Sequence, residues 1–198
     1  MNPDRILTVC MAAMLAGAPA AAADVATQIR QLTGAETRIV WLRHKQWETD
    51  KPNVDGGVGF SIMAFDTAPP SLESFGAARG KGERELVPEG DIVNPLISPS
   101  GSRVIYSAKT DGKLRMHCVD WNGENSRFLG DGFAQWAWRD PATGIEWVYA
   151  SNAGGNDGAF VDRFHLDKPE VKERLYTGRL NNRFSLSADG TRAVSEFP

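Results

Sequence analysis

Ten residues written three times constrain this chain more than any other feature. Leu32 to Trp41 (LTGAETRIVW), Ile97 to Tyr106 (ISPSGSRVIY) and Leu186 to Ser195 (LSADGTRAVS) align without a gap. Each sets an aliphatic residue before Thr or Ser, then turn-forming or small positions, then a second Thr or Ser. Arg38, Arg103 and Arg192 follow and open an apolar strand. A looser copy, WRDPATGIEWVY from Trp138 to Tyr149, keeps the strand–turn–strand shape with extra turn residues. Gly101, Gly144 and Gly190 stand at the turn, where a positive φ suits glycine. The first copy has Glu36 instead.

The repeat extends beyond this hairpin. A third strand follows in SIMAFD, RMHCVD and RFHLD, ending at Asp66, Asp120 and Asp167. These stretches alternate, as strands of a half-buried sheet do, before an acidic turn residue. A fourth strand opens near Arg84 (RELV), Arg127 (RFLG) and Arg174 (RLYTG). Four strands per unit, recurring at a spacing in the forties, predict an all-β protein with four-stranded antiparallel propeller blades. The units run over 25–90, 91–132 and 133–178, with a fourth begun at 179–198, about three and a half in all. Only VATQIRQL at 25–32 offers a turn or two of helix.

In the second unit SPSG, KTDGK, DWNGE and RFL follow in order. They resemble the TolB-type, WD-like β-propeller repeat, whose blade reads as an S-P-D-G turn, a D-G hairpin, a D-x-D/N-G turn and a closing R-x-L strand. The third unit departs from it with RDPATG and the longer NAGGNDG. The resemblance covers most of the chain and implies a fold; its motifs, generic to many propellers, imply no activity. Closed propellers have typically about 4–8 blades. The unfinished fourth unit therefore predicts an N-terminal fragment of a longer propeller.

The N-terminus reads as a targeting segment over 1–23. Arg5 precedes the apolar ILTVCMAAMLAGAPA, and alanines lead to Asp24. A basic start, an apolar run shorter than the ~20 residues a bilayer needs and an A-x-A exit describe a secretory signal cleaved after Ala23. Bulky Val9 before Cys10 argues against a lipoprotein. The expected location is therefore exported, periplasmic or extracellular. Net charge is −3 with or without the leader, because Asp4 and Arg5 leave together. No basic balance points to nucleic acid. Cleavage leaves Cys118 alone, so no internal disulfide forms, and its setting in LRMHCVDW reads as a buried small hydrophobe.

Propeller connectivity sends the second-to-third strand loops and the links between units to one end of the sheets. His44–Gly59, Lys109–Gly112 and Asn152–Gly158 share that end with Asp91, Asn94, Gln135, Asn181 and Asn182. It is the expected binding face, because ligand sites gather on such loops. In the first loop His44, Trp47, Asp50 and Asp55 are the candidate ligand-binding residues, with Trp47 suited to stacking on a sugar or clasping a peptide. In the third loop Asn152, Asn156 and Asp157 offer oxygens that suit Ca²⁺, though the acidic spacing of an EF-hand is absent and a wide hairpin turn is the better reading. No other cofactor is implied. His117 and His165 fall on third strands of different units, a repeat position rather than a metal pair.

No G-x-S-x-G elbow, H-E-x-x-H pair or glycine-rich phosphate loop occurs in the sequence, so catalytic residues are not assigned. The leading reading is an exported, non-catalytic propeller that binds a protein, peptide or glycan. The alternatives are the propeller portion of a longer secreted enzyme, peptidase-like hydrolase or polysaccharide lyase, with its catalytic residues beyond Pro198, and a purely structural lattice component.

Overall fold

The computed structural model describes residues 25–45, 56–67, 83–151, 160–177 and 184–195. The expected leader lies outside them. Helix α1 (Val25–Thr33) precedes strands β1 (Arg38–His44), β2 (Gly56–Asp66), β3 (Arg84–Ile97), β4 (Arg103–Thr110), β5 (Lys113–Asp120) and β6 (Arg127–Asp131). Then come β7 (Phe133–Arg139), β8 (Glu146–Ser151), β9 (Phe160–His165), β10 (Lys172–Thr177), β11 (Phe184–Leu186) and β12 (Ala193–Ser195).

Several of the recurring residues fall at strand ends. Arg38 and Arg103 open β1 and β4, Asp66 and Asp120 close β2 and β5, and Arg84 and Arg127 open β3 and β6. The third unit forms its own antiparallel sheet, ordered β10-β9-β8-β7, and β11 pairs with β12.

The helix expected over 25–32 is present as α1, which runs on through Thr33, so the first unit has no opening strand to match those of the other copies. Thr33 Oγ1 donates to the Ile29 carbonyl at 2.9 Å, and Gly34, at φ 68°, supplies the left-handed C-terminal residue that ends a helix. The first and second units also do not form separate sheets. The 14-residue β3 pairs by its first part with β2 and by its second with β4, giving one six-stranded sheet ordered β1-β2-β3-β4-β5-β6. Proline cannot donate to a ladder, and Pro88 and Pro95 fall within register shifts of β3. Asn94, at φ 50°, turns the strand from one neighbour to the other.

The recurring turn is a hydrogen-bonded device. Ser98 N donates to Arg103 O, Gly101 N to Ser98 O, and Arg103 N to Ser98 Oγ at 3.1 Å. Ser187 repeats all three bonds with Arg192 and Gly190. Asp140 takes the serine's place in the third unit, accepting from Ala142 N and Thr143 Oγ1 while its own N donates to Ile145 O. Small oxygen-bearing side chains satisfy turn amides in this way at the start of a strand. At the opposite end of β4, Asp111 (φ 52°) and Gly112 (φ 74°) make a two-residue hairpin with both φ positive, the geometry whose twist matches paired strands.

Successive side chains of a strand point to opposite faces, and here both faces are buried. Val104 and Tyr106 of β4 join Phe60, Ile62, Leu86, Val119 and Trp121 in a core between the first and second units. Ile105, between them in sequence, joins Met116, Cys118, Val148, Phe164 and Leu166 in a core between the second and third. In β8, Val148 serves that second core, while Trp147 and Tyr149 pack with Val161, Trp138 and Leu186 in a third. Each core is therefore shared by neighbouring units.

Replacing Ile105, fully buried, by Ala is expected to destabilise the protein by about 3 kcal/mol. Because its core is shared, amide exchange in the variant should accelerate in β4–β5 and β8–β9 together; acceleration confined to β4–β5 would contradict the shared core.

Candidate binding face

Antiparallel register decides which loops lie together. Gly56, at the start of β2, is opposite Val93, and Val93 is opposite Ser107 near the end of β4. Asn94 Nδ2 donates to the Ala134 carbonyl at 2.6 Å, and Ala134 N donates to Ser107 Oγ at 2.8 Å. Gln135 Nε2 donates to Ser151 Oγ, at the end of β8, at 3.0 Å. The end of β1, the β4–β5 hairpin, the middle of β3 and the junction between β6 and β7 therefore lie at one end; Asn181 and Asn182, expected with them, lie outside the described residues.

His44 is the candidate binding residue that the structure describes. It closes β1, and its ring meets Phe60 edge-on with centroids 5.0 Å apart. Gly59, at φ 84°, leaves room beside it; a Cβ there would lie 2.8 Å from His44 Nε2. Lys45 follows, with Nζ 3.1 Å from Glu89. Trp47, Asp50 and Asp55, between β1 and β2, lie outside the described residues, as do Asn152, Asn156 and Asp157, between β8 and β9. Among the described residues no group of three or more His, Cys, Asp or Glu side chains is arranged to hold a metal ion.

Asn94, Ser107, Gln135 and Ser151 form a polar seam that joins the six-stranded sheet to the third unit. Ser107, Gln135 and Ser151 are buried, so their hydrogen bonds offset the cost of removing them from water. The link residues Asn94 and Gln135 thus spend their amide groups on joining neighbouring strands.

The other end carries an arginine network that sequence reading did not assemble. Asp66 accepts from Arg38 Nε at 3.2 Å and from Trp121 Nε1 at 3.1 Å. Arg38 and Arg84 both lie over the Trp121 ring, at 4.9 and 5.0 Å from its centroid, and Arg84 donates to the Trp121 carbonyl. One unit later Arg127 donates to the Leu166 carbonyl at 2.6 Å, and Arg103 pairs with Asp167 at 2.6 Å. Glu146, standing where other units have Arg, accepts from Ser100 N at 2.5 Å. In these units the fourth-strand arginine reaches the end of the third strand in the next unit. The arginines were visible as a repeat; their reach was not, because its acceptors are backbone carbonyls of any residue type.

Comparison with known proteins supports the architecture. A structure assigned as TolB from Agrobacterium tumefaciens is similar over 60% of this chain and 41% of its own, with 17% identity and a TM-score of 0.42. TolB from Acinetobacter baumannii is similar over 82% of this chain and 37% of its own, with 13% identity and a TM-score of 0.51. The chain thus spans about two fifths of the length of these solved structures, and the Acinetobacter likeness shows a TolB-like β-propeller fold. No family model and no curated protein matches the sequence.

His117 and His165 both lie on third strands but at different register positions, His165 matching Val119 of the second unit. His117 is opposite Tyr106 and His165 opposite Trp147, each a third-strand imidazole against a second-strand aromatic. The His117 ring stacks on Tyr106 at 5.4 Å and meets Phe128 edge-on at 5.9 Å. His165 Nδ1 accepts from Asp167 N and Lys168 N, which shapes the turn after β9. Cys118 is buried in the second core; burial raises its thiol pKa, and nearby Arg127 and Arg103 draw it partly back. That is the setting of a packed thiol rather than of a reactive thiolate.

Burial and then nearby Arg115 lower the pKa of His117. The unfolded chain, with an ordinary value of about 6.5, therefore takes up this proton first as pH falls. The stability that His117 contributes is complete above about pH 6.5 and declines as pH drops through the interval below it. Denaturant unfolding of His117→Phe at pH 7.5 and 5.0 should show a smaller loss of stability on acidification than the wild-type chain; an equal loss would refute the assignment.

Proposed function

We propose that this chain is part of an exported, non-catalytic β-propeller whose loop end holds a protein, peptide or glycan partner. The observation that carries this reading is the TolB-like fold, since propellers of that type act in cell envelopes as binding scaffolds by resemblance. Its blades are taken to be the units of the repeat, the third of which forms a four-stranded sheet by itself.

The structure's chemistry is consistent with that division of labour. At one end arginines, aspartates and turn serines are engaged in joining units. At the other end His44 closes β1, next in sequence to the segment bearing Trp47, Asp50 and Asp55. The segment after Ser151 adds Asn152, Asn156 and Asp157. These residues form the proposed ligand-binding set, and the leader over 1–23 accounts for export.

Expression of the full chain in a bacterial host, followed by fractionation and mass spectrometry, should recover a protein beginning at Asp24 outside the cytoplasm. Peptide and glycan arrays probed with it should yield a ligand whose affinity falls about tenfold in His44→Ala or Trp47→Ala, as for an interface anchor residue. An unprocessed cytoplasmic product, or array binding indifferent to both substitutions, would overturn the reading.

A further inference from the structure

We propose that Asn122 is a spontaneous modification site. It deamidates through a succinimide to aspartate and isoaspartate, and the isoaspartyl linkage loosens the Trp121 contact between the first and second units.

The sequence supplies the reacting pair. Asn122 is the chain's one asparagine followed by glycine. Glycine lacks a Cβ, so its backbone nitrogen can approach the preceding side-chain carbonyl without hindrance. Asn2 and Asn94 precede proline, whose nitrogen has no proton to give up. Asn122 itself stands in the turn after β5 and is exposed to water.

The turn sets a chemical group at each end of the Asn122 amide. Glu124 N donates to Asn122 Oδ1 at 3.1 Å, so a donor already points at the oxygen that gains charge when the nitrogen attacks. Asn122 Nδ2 donates to Glu124 Oε2 at 2.7 Å, which places a carboxylate beside the leaving nitrogen. The bond from Gly123 N to Asn122 Cγ forms and the Cγ–Nδ2 bond breaks. The proton of Gly123 N passes by way of the Glu124 carboxylate to the departing nitrogen, which leaves as ammonia. Water then opens the ring at Cγ to give aspartate, or at the main-chain carbonyl to give isoaspartate. One bond restrains the reaction: Gly123 N donates to the Asp120 carbonyl at 2.8 Å. Local opening of the turn must release it before the nitrogen can attack.

The consequence falls on the neighbouring residue. Trp121 N donates to Ser102 O, its indole donates to Asp66, and its carbonyl accepts from Arg84. Asp120 N donates to Glu124 O at 2.9 Å and closes the turn. A Cβ on Gly123 would lie 3.7 Å from the Leu86 carbonyl, so the turn also rests beside the start of β3. Isoaspartate routes the main chain through the side chain and lengthens it by one methylene between Asp120 and Glu124. The backbone bonds that fit the present span then no longer fit. Aspartate brings the same negative charge and leaves the span unchanged.

The test ages the full chain in mildly alkaline buffer and maps its peptides by mass spectrometry, with isoaspartate assigned by labelling with a protein isoaspartyl methyltransferase. Conversion should appear at Asn122 before any other asparagine. Glu124→Gln, a surface change that removes the proton carrier, should slow it several-fold. The isoaspartyl form, separated by chromatography, should exchange the Asp120 and Trp121 amides about tenfold faster, the effect of losing about one hydrogen bond. Asn122→Asp should exchange them at the wild-type rate. Earlier conversion at another asparagine, a rate indifferent to Glu124→Gln, or wild-type exchange in the isoaspartyl form would each overturn the proposal. Equal acceleration in Asn122→Asp would do so too, because charge rather than backbone length would then be the cause.

Discussion

Strands β4, β5, β8 and β9 each serve two cores at once. Ile105 and Val104 are adjacent in sequence, both fully buried, and pack into different clusters. Val148 and the neighbouring Trp147 likewise pack into different clusters. A half-solvated sheet has one apolar face and can fold against one partner. A sheet with two apolar faces requires a neighbour on each side, so no unit here can be stable by itself. Burial of a large aliphatic side chain contributes about 1.5–3 kcal/mol, and in this architecture that contribution belongs to a pair of units.

The polar network has the same character. Arg84 and Arg127 do not stabilise their own units; they cap carbonyls at the strand ends of the next. Arg84 is buried, which lowers its guanidinium pKa below the ordinary value despite nearby Asp66. A buried cation is tolerated when hydrogen bonds and an opposite charge surround it. Asp66 gathers Arg38 and the Trp121 indole, and both guanidiniums lie on the indole face. Trp121 therefore links the first and second units through its ring faces, its N–H and its carbonyl.

Much of this was legible from residue identity alone, because turn chemistry is local. Ser98 and Ser187, five residues before an arginine, make the same bonds in two units, and Asp140 reproduces them by another route. The Asp111–Gly112 hairpin was equally readable, since few residue pairs accept two positive φ values. The helix over 25–32 was readable too, but not that it leaves the first unit without an opening strand. LTGAET resembles the other turns, yet Thr33 bonds backward to Ile29, and a nine-residue helix takes the strand's place. Propensity within a few residues cannot settle that competition. The fusion of two units through β3 was hidden for a related reason. The repeat set a unit boundary between Gly90 and Asp91, whereas the chain absorbs Pro88 and Pro95 in register shifts and continues as one strand through it. Of the candidate site, the common end of the sheets was readable from connectivity. The polar seam beneath it was not, since Asn94 and Ser107 bind the backbone of Ala134, which carries no sequence signal.

The helix at the start has consequences at the far end of the first sheet. A repeat whose units each begin with an inner strand leaves no second-position strand at an edge. Replacing one inner strand by α1 exposes one such strand, and it is the one that runs into His44. Shared cores, arginine contacts between units and the buried polar seam hold the neighbouring strands in fixed register. That rigidity matters for recognition, because a preformed scaffold spares an incoming partner the cost of ordering its receptor.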